Sequence, residues 1–151
     1  MPVLNMKATV RYAGDDLFVG FSPGGHAHVI ETDSRRNSAV TPVEMLLTAL
    51  GACTGADVVS VLRKKREKVT GYHLELSGDR REEYPRKFEE IRVHHVVRGE
   101  GLSEKAVARA IELSDEKYCS VAAALRPGAR IVSTFQIVEE AEAAAALEAK
   151  T

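Results

Sequence analysis

The feature that most constrains the fold is a long apolar run in the first half of the chain, "PVEMLLTALGACTGADVVSVLRKK", residues 42–65. Between 43 and 62 its apolar residues would surround most of a helix, and a helix that is apolar on every side is buried on every side. Thr41 suits the N-cap, Pro42 suits the first turn, and Glu44 stands three residues after the cap, which is a capping-box pattern. The run therefore predicts a long core helix against which the rest of the chain packs.

The same run is long enough to cross a membrane, but polar side chains interrupt it, which favours a core helix over a span. These side chains are Glu44, Thr48, Thr54, Asp57 and Ser60. The N-terminal "MPVLNMKATV" lacks the apolar core of a signal peptide, so we expect a cytoplasmic protein. A net charge of −1 gives no reason to expect nucleic acid or an anionic membrane as a partner.

The other segments predict elements in the order βββ-α-ββ-α-β. Alternating apolar residues indicate strands at 4–12, 16–21, 26–33, 69–80, 88–99 and 129–140. A helical period covers 102–118, with Ser103 as a cap, and a short helix follows Cys119. The tail 140–151 has high helix propensity but little to bury. No repeat or linker divides the chain, so we predict a single α+β domain over 1–151, an antiparallel sheet packed on two main helices.

Cys53 and Cys119 are the two cysteines of the chain, and each lies on or beside one of the predicted helices. If these helices pack together, the two thiols come within disulfide range. In the reducing cytoplasm that we expect, a cysteine pair is more often catalytic or redox-active than a structural crosslink. Residue type alone favours the inert alternative, in which both are small buried hydrophobic residues.

A reactive Cys53 needs a neighbouring cation, because burial in an apolar helix raises the pKa of a thiol. Asp57, one helical turn further on, acts in the opposite direction. Arg35 and Arg36 in the polar loop before the helix are the best candidates, although solvated surface charge explains them as well. Glu44 either anchors an arginine in the site or only completes the capping box, and its spacing favours the cap.

Evidence for a metal, cofactor or nucleic-acid site is weak in the sequence. His26 and His28 alternate onto one strand face, but no third metal ligand is evident. Glycine-rich nucleotide loops and metalloprotease or hydrolase motifs are missing. The basic run "RKKREK" is short and carries no aromatic residues. We therefore expect no cofactor, no bound metal and no nucleic-acid partner.

Two spaced motifs, "TPVEMLLTALGACTGADVVSVLRKK" and "VARAIELSDEKYCSVAAAL", together resemble the OsmC/Ohr family, the osmotically inducible and organic-hydroperoxide-resistance proteins. The sequence of these motifs is most similar to that of a less characterised OsmC-like branch, and the hairpin "RREEYPRKFEEI" also fits this branch. The resemblance covers most of residues 7–138. It implies an intertwined homodimer in which an antiparallel sheet wraps two central helices and the active sites lie at the dimer interface.

The resemblance also implies a chemistry. In peroxidase members of the family the first cysteine attacks the peroxide and becomes a sulfenic acid, and the second resolves it as a disulfide. The matching positions here are Cys53 and Cys119. An external dithiol, such as a lipoylated protein, then reduces the disulfide. The resemblance thus predicts a cysteine-dependent peroxidase that reduces organic hydroperoxides or hydrogen peroxide in oxidative stress defence.

Two departures from the family pattern concern the activation of the thiol. The peroxidase branches carry a carboxylate directly after the helix proline, where this chain has Val43, and Glu44 stands one residue later. One residue is about 100° around a helix, so Glu44 points in another direction. The family arginine has no clear match either. These departures leave open an alternative, a slow or non-catalytic small-molecule-binding or redox-sensing protein. A general thiol–disulfide oxidoreductase is a weaker third option, since the chain lacks a CxxC motif.

Overall fold

The computed structural model describes residues 5–150, which form two compact units that divide between Leu46 and Leu47. The first unit contains the strands β1 (Thr9–Gly14), β2 (Leu17–Phe21) and β3 (Ala27–Glu31). Helix α1 (Pro42–Lys64) begins in the first unit and continues in the second. The second unit also contains β4 (Lys68–Arg80), β5 (Phe88–Glu100), α2 (Glu104–Leu113), α3 (Ser120–Leu125), β6 (Arg130–Glu139) and α4 (Glu140–Ala149).

The first unit is built on an antiparallel sheet in the order β1-β2-β3. Asp15 and Asp16 join the first two strands with φ angles of 51° and 59°. Positive φ at both central residues is what a tight two-residue hairpin turn needs, and Asp tolerates it better than most residues. The predicted hairpin and third strand are confirmed. The expected start of the first strand at residue 4 lies outside the described residues.

The second unit contains a mixed sheet in the order β4-β5-β6. Strands β4 and β5 pair antiparallel as a long hairpin, but β5 and β6 pair parallel. The prediction of one antiparallel sheet was therefore wrong, because the strands form two separate sheets and one of them is mixed. The helical connection between β5 and β6 returns the chain to the end of the sheet at which β5 begins, so β6 runs parallel to β5.

The core of the second unit lies between α1, α2 and the buried face of this sheet. Its buried members are Val58, Leu62, Val97, Leu102, Ala106, Val107, Ala110 and Ile111. Full burial of side chains such as Val58 and Leu62 stabilises the fold by about 1.5–3 kcal/mol each.

Helix α1 is buried along one face, so the prediction that it is buried on every side was wrong for the single chain. Its buried positions recur every three or four residues, at Leu50, Gly51, Thr54, Gly55, Val58 and Leu62. Ala52 and Ala56 are apolar but exposed. By length and composition α1 is also apolar enough to cross a membrane, a property that core helices of soluble proteins share.

The two predicted helical segments around Cys119 are confirmed, with one addition between them. Helix α2 begins at the expected cap, where the Ser103 hydroxyl accepts from the Ala106 amide at 3.1 Å. It ends in a π-helical turn, Ser114–Tyr118, that leads into Cys119 and α3. Such turns are rare and occur often at functional sites. The predicted helical tail forms α4, whose first residue Glu140 pairs with Arg98 at 3.3 Å.

Candidate active site

The structure brings the two cysteines together. The side chain of Cys53, on α1, lies close enough to the thiol of Cys119 to raise its pKa. Both are free cysteines; Cys53 is partly buried and Cys119 is buried. The packing of α1 against the segment that precedes α3 therefore makes the two thiols neighbours, which the sequence left open.

Hydrogen bonds hold both the backbone amide and the sulfur of Cys119. Its amide donates to the Ser114 carbonyl at 3.0 Å, across the π-helical turn. Its sulfur caps α3 and accepts from the Ala122 amide at 3.3 Å. Burial raises the pKa of the Cys119 thiol to about 11, and the contact with Cys53 adds to the rise, against the opposing effect of the Ala122 amide. At neutral pH the reduced Cys119 is therefore a protonated thiol.

A buried hydrogen-bond network connects α1 to the π-helical turn beside the thiols. The Ser114 hydroxyl donates to Asp57 Oδ2 at 2.8 Å. It also lies 2.8 Å from the Thr54 hydroxyl, which must then be the donor, because Ser114 has one proton and gives it to Asp57. Ser114 is fully buried and Thr54 nearly so. Sequence reasoning treated Asp57 only as an unfavourable charge and missed this role; polar residues at 54 and 57 within an apolar helix were the available signal.

His95 and Tyr72 form a second buried polar pair on the sheet. The Tyr72 hydroxyl lies 2.6 Å from His95 Nδ1. His95 is fully buried, and burial, together with the charge of His94, lowers its pKa to about 4. Burial raises the pKa of Tyr72. The two groups are thus neutral at physiological pH. Sequence reasoning placed His94 and His95 on opposite strand faces, and His94 indeed points away, to Thr134 at 2.8 Å.

A cavity of about 430 Å³ opens beside the network. Its lining combines an apolar surface with a carboxylate and two lysines, and consists of Asp57, Ser60, Val61, Lys64, Lys65, Leu113 and Tyr118. Asp57 belongs to the network, and Tyr118 directly precedes Cys119. A small molecule in this cavity would contact the segment that carries the second thiol.

A family model described as "OsmC-like protein" matches residues 35–134, about two thirds of the chain. The chain belongs to the OsmC-like family. Protein YhfA of Escherichia coli (strain K12) is 41% identical over 133 residues, which cover 88% of this chain and 98% of that protein. The crystal structure of a hypothetical protein from Aquifex aeolicus VF5 is 30% identical, with a TM-score of 0.82, over 91% of this chain and 99% of that one.

The OsmC-like fold also extends to more distant structures. An organic hydroperoxide resistance protein from Elizabethkingia anophelis superposes with a TM-score of 0.70 over 91% of this chain and 99% of that one. The identity is 14%, so this likeness concerns the fold alone. The resemblance deduced from the two cysteine motifs is thereby confirmed at the level of family and α+β fold.

The predicted activators of this OsmC-like chain all lie in its first unit. The Thr41 amide donates to Glu44 Oε2 at 2.8 Å, and the Glu44 amide donates to the Thr41 hydroxyl at 3.3 Å. The predicted capping box is thus confirmed. Arg35 pairs with Asp33 at 3.1 Å, and Arg36 with Glu31 at 2.5 Å. That Glu44, Arg35 or Arg36 activates Cys53 stays a prediction.

Glu31 is a buried carboxylate that the sequence did not reveal. Besides Arg36, it accepts hydrogen bonds from the Ser38 amide at 2.6 Å, the Ser38 hydroxyl at 3.0 Å and the Ala39 amide at 3.1 Å. Burial opposes its ionisation, but these bonds outweigh burial and hold its pKa below the ordinary value. The loop after β3, which showed no periodicity, is therefore organised around one side chain.

Metal-ligating residues do not cluster in the part of the chain that the structure describes. Among residues 5–150, no group of three or more His, Cys, Asp or Glu side chains is placed to hold a metal ion. His26 and His28, considered as ligands on sequence grounds, belong to no such group.

Proposed function

We propose that this chain is a cysteine-dependent peroxidase that reduces organic hydroperoxides or hydrogen peroxide in oxidative stress defence. The observation that carries the proposal is the neighbouring pair of free thiols, Cys53 and Cys119, within an OsmC-like chain. The fold shared with the organic hydroperoxide resistance protein from Elizabethkingia anophelis supports it.

In the proposed first step the Cys53 thiolate attacks one oxygen of the peroxide. The O–O bond breaks, the sulfur is oxidised to a sulfenic acid, and the other oxygen leaves as an alcohol or water once protonated. Partial exposure makes Cys53 the accessible sulfur of the pair. Cys119 is buried and its pKa is raised, which suits it poorly to this step.

In the second step the Cys119 sulfur attacks the Cys53 sulfur. The S–O bond breaks, the hydroxyl leaves as water with the Cys119 proton, and a 53–119 disulfide forms. An external dithiol, for example on a lipoylated protein, then reduces this disulfide and is itself oxidised to a disulfide. No resident cofactor or metal is needed for this cycle.

The test is peroxide consumption by the pre-reduced protein with cumene hydroperoxide, using dithiothreitol or a lipoyl system for turnover. We expect the wild type to turn over and Cys53→Ser to consume nothing. In the absence of any dithiol, Cys119→Ser should consume one equivalent and stop as a sulfenic acid. Consumption that is absent in the wild type, or equal in Cys53→Ser, would refute the proposal.

Homodimerisation is part of the proposal. Residues of α1 and β4 form a shallow apolar groove, in which Ala52 and Ala56 are exposed beside Leu74 and Leu76. A second copy of the chain would remove this surface from water, which favours association. Sedimentation equilibrium tests it, with a dimer as the expected species and a monomer at micromolar concentration as the contrary result.

A second candidate function, a redox-sensing or small-molecule-binding protein without fast turnover, is favoured by one observation. The Glu44 carboxylate is engaged in the capping box with Thr41, and no ion pair among residues 5–150 joins it to an arginine. This candidate predicts slow oxidation of Cys53 and a small molecule that co-purifies with the chain. Rapid turnover with dithiothreitol would exclude it.

A further inference from the structure

We propose that Ser114 is a positioning residue of the redox pair, whose hydroxyl holds Cys119 in place for disulfide formation with Cys53. The inference rests on the proposed peroxidase function and adds to it a role for a residue other than the two cysteines. Ser114 does not touch the reacting sulfur atoms in this scheme; it acts through the backbone of Cys119.

Ser114 makes two sets of hydrogen bonds. Its carbonyl accepts from the Cys119 amide at 3.0 Å and so closes the π-helical turn. Its hydroxyl binds α1 at two points, Thr54 and Asp57, each at 2.8 Å. Thr54 directly follows Cys53, and Asp57 lies one turn beyond it. One residue thus connects the backbone of the second cysteine to the helix that carries the first.

Packing alone does not explain a hydroxyl at this position. Ser114 is fully buried, and a buried hydroxyl is tolerated only when it is hydrogen-bonded. Alanine would fill nearly the same volume without that requirement. The hydroxyl donates a hydrogen bond to Asp57 and accepts one from Thr54. These two bonds fix the position of the start of the turn relative to α1.

Disulfide formation is sensitive to such placement. It requires Cα atoms about 4.4–6.8 Å apart and Cβ atoms about 3.5–4.5 Å apart. A misplacement of about 1 Å can slow a reaction between positioned groups about 100-fold. The π-helical turn, a rare geometry, separates α2 from Cys119. The hydroxyl network ties the first residue of this turn to α1.

The two chemical steps should therefore respond differently to loss of the hydroxyl. In the attack of Cys53 on peroxide, no bond to Cys119 forms or breaks. The second step, in which the Cys119 sulfur displaces the hydroxyl of the sulfenic acid as water, depends on the distance between the two sulfurs. A general loss of fold would slow both steps, whereas loss of positioning slows the second alone.

The experiment measures both steps in single-turnover reactions with cumene hydroperoxide, using dimedone to trap the sulfenic acid and mass spectrometry to follow the 53–119 disulfide. In Ser114→Ala we expect oxidation of Cys53 within about twofold of wild type and disulfide formation slowed at least about tenfold. The matched control is Ser120→Ala, an exposed serine directly after Cys119, which should behave as wild type. Disulfide formation at the wild-type rate in Ser114→Ala would overturn the inference.

A second pair of variants covers the case in which Ser114→Ala does not fold. Thr54→Ser keeps the hydroxyl that donates to Ser114, and Thr54→Val removes it with little change in volume. Slower disulfide formation in Thr54→Val than in Thr54→Ser supports the inference, and equal rates overturn it.

Failure of the proposed function would be recognised separately, because wild-type Cys53 would then not react with peroxide. In that case the positioning role is measured by equilibrating the protein in glutathione redox buffers. Ser114→Ala should lower the equilibrium constant for formation of the 53–119 disulfide at least about tenfold. If Ser114→Ala does not fold, the same decrease is expected in Thr54→Val relative to Thr54→Ser. An unchanged equilibrium constant would overturn the inference independently of any peroxidase activity.

Discussion

Mild acidification should destabilise the second unit through a single buried side chain, His95. In the folded state burial lowers its pKa to about 4, whereas an unfolded histidine titrates near 6.5. Below pH 6.5 the unfolded chain therefore binds a proton that the folded chain excludes. The stability contributed by the neutral ring is fully present above the unfolded pKa and is lost as the pH falls from about 6.5 toward about 4.

The magnitude follows from the two pKa values. Their difference corresponds to a total of about 3 kcal/mol in the free energy of unfolding. Linkage predicts that about 2 kcal/mol of this stability is lost between about pH 7.5 and about pH 5. Urea unfolding followed by circular dichroism at both pH values measures it. His95→Gln removes the titrating group, and its remaining pH dependence reports all other groups. His73→Gln, at an exposed histidine of β4, is the matched control and should retain the wild-type loss.

If wild type and His95→Gln lost the same free energy of unfolding between the two pH values, His95 would not be the source of the pH dependence. If His95→Gln does not fold, the ring can be followed directly by NMR in the wild type. A ring that stays neutral to about pH 5 agrees with the burial seen here, and one that titrates near the ordinary value contradicts it.

Three further results are expected. Thr41→Ala removes the confirmed cap of α1 and should lower the free energy of unfolding by about 1 kcal/mol, measured by urea titration; an unchanged value would contradict the role of the cap. Leu62→Ala leaves a cavity in the core and should cost about 3 kcal/mol, whereas Leu147→Ala, at an exposed position of α4, should cost less than about 0.5 kcal/mol; similar costs would contradict the described core. Formation of the 53–119 disulfide from the sulfenic acid should accelerate up to about tenfold per pH unit between about pH 7 and 9. The reason is that the thiolate form of Cys119 becomes more abundant as the pH approaches the raised pKa of this residue. A stopped-flow rate that does not change with pH would show that the Cys119 thiol does not limit the step.

Local features of the fold could be predicted from the sequence because their causes are local. The capping box at Thr41 and Glu44 and the cap at Ser103 depend on spacings of three residues, and both formed as expected. The hairpin around Asp15 follows from the turn preference of neighbouring residues. The family could be predicted because two spaced motifs were compared together.

Features that depend on distant residues could not be predicted in the same way. The parallel pairing of β6 with β5 follows from the path of the helical connection, which no local period encodes. The contact of Thr54 with Ser114 joins residues 60 positions apart, and the four hydrogen bonds to Glu31 depend on a loop without periodicity. The family resemblance suggested that Cys53 and Cys119 are neighbours. In the structure this proximity results from the packing of α1 against the segment that contains the π-helical turn.

The most direct test of the proposed redox pair is peptide mapping of the reduced protein after one equivalent of cumene hydroperoxide. We expect the chain to become lighter by two hydrogen atoms, with a crosslinked peptide that joins Cys53 to Cys119, and we expect peroxide to disappear in the same proportion. Thiols that stay free while peroxide persists, or peroxide consumption that continues unchanged in Cys53→Ser, would contradict it.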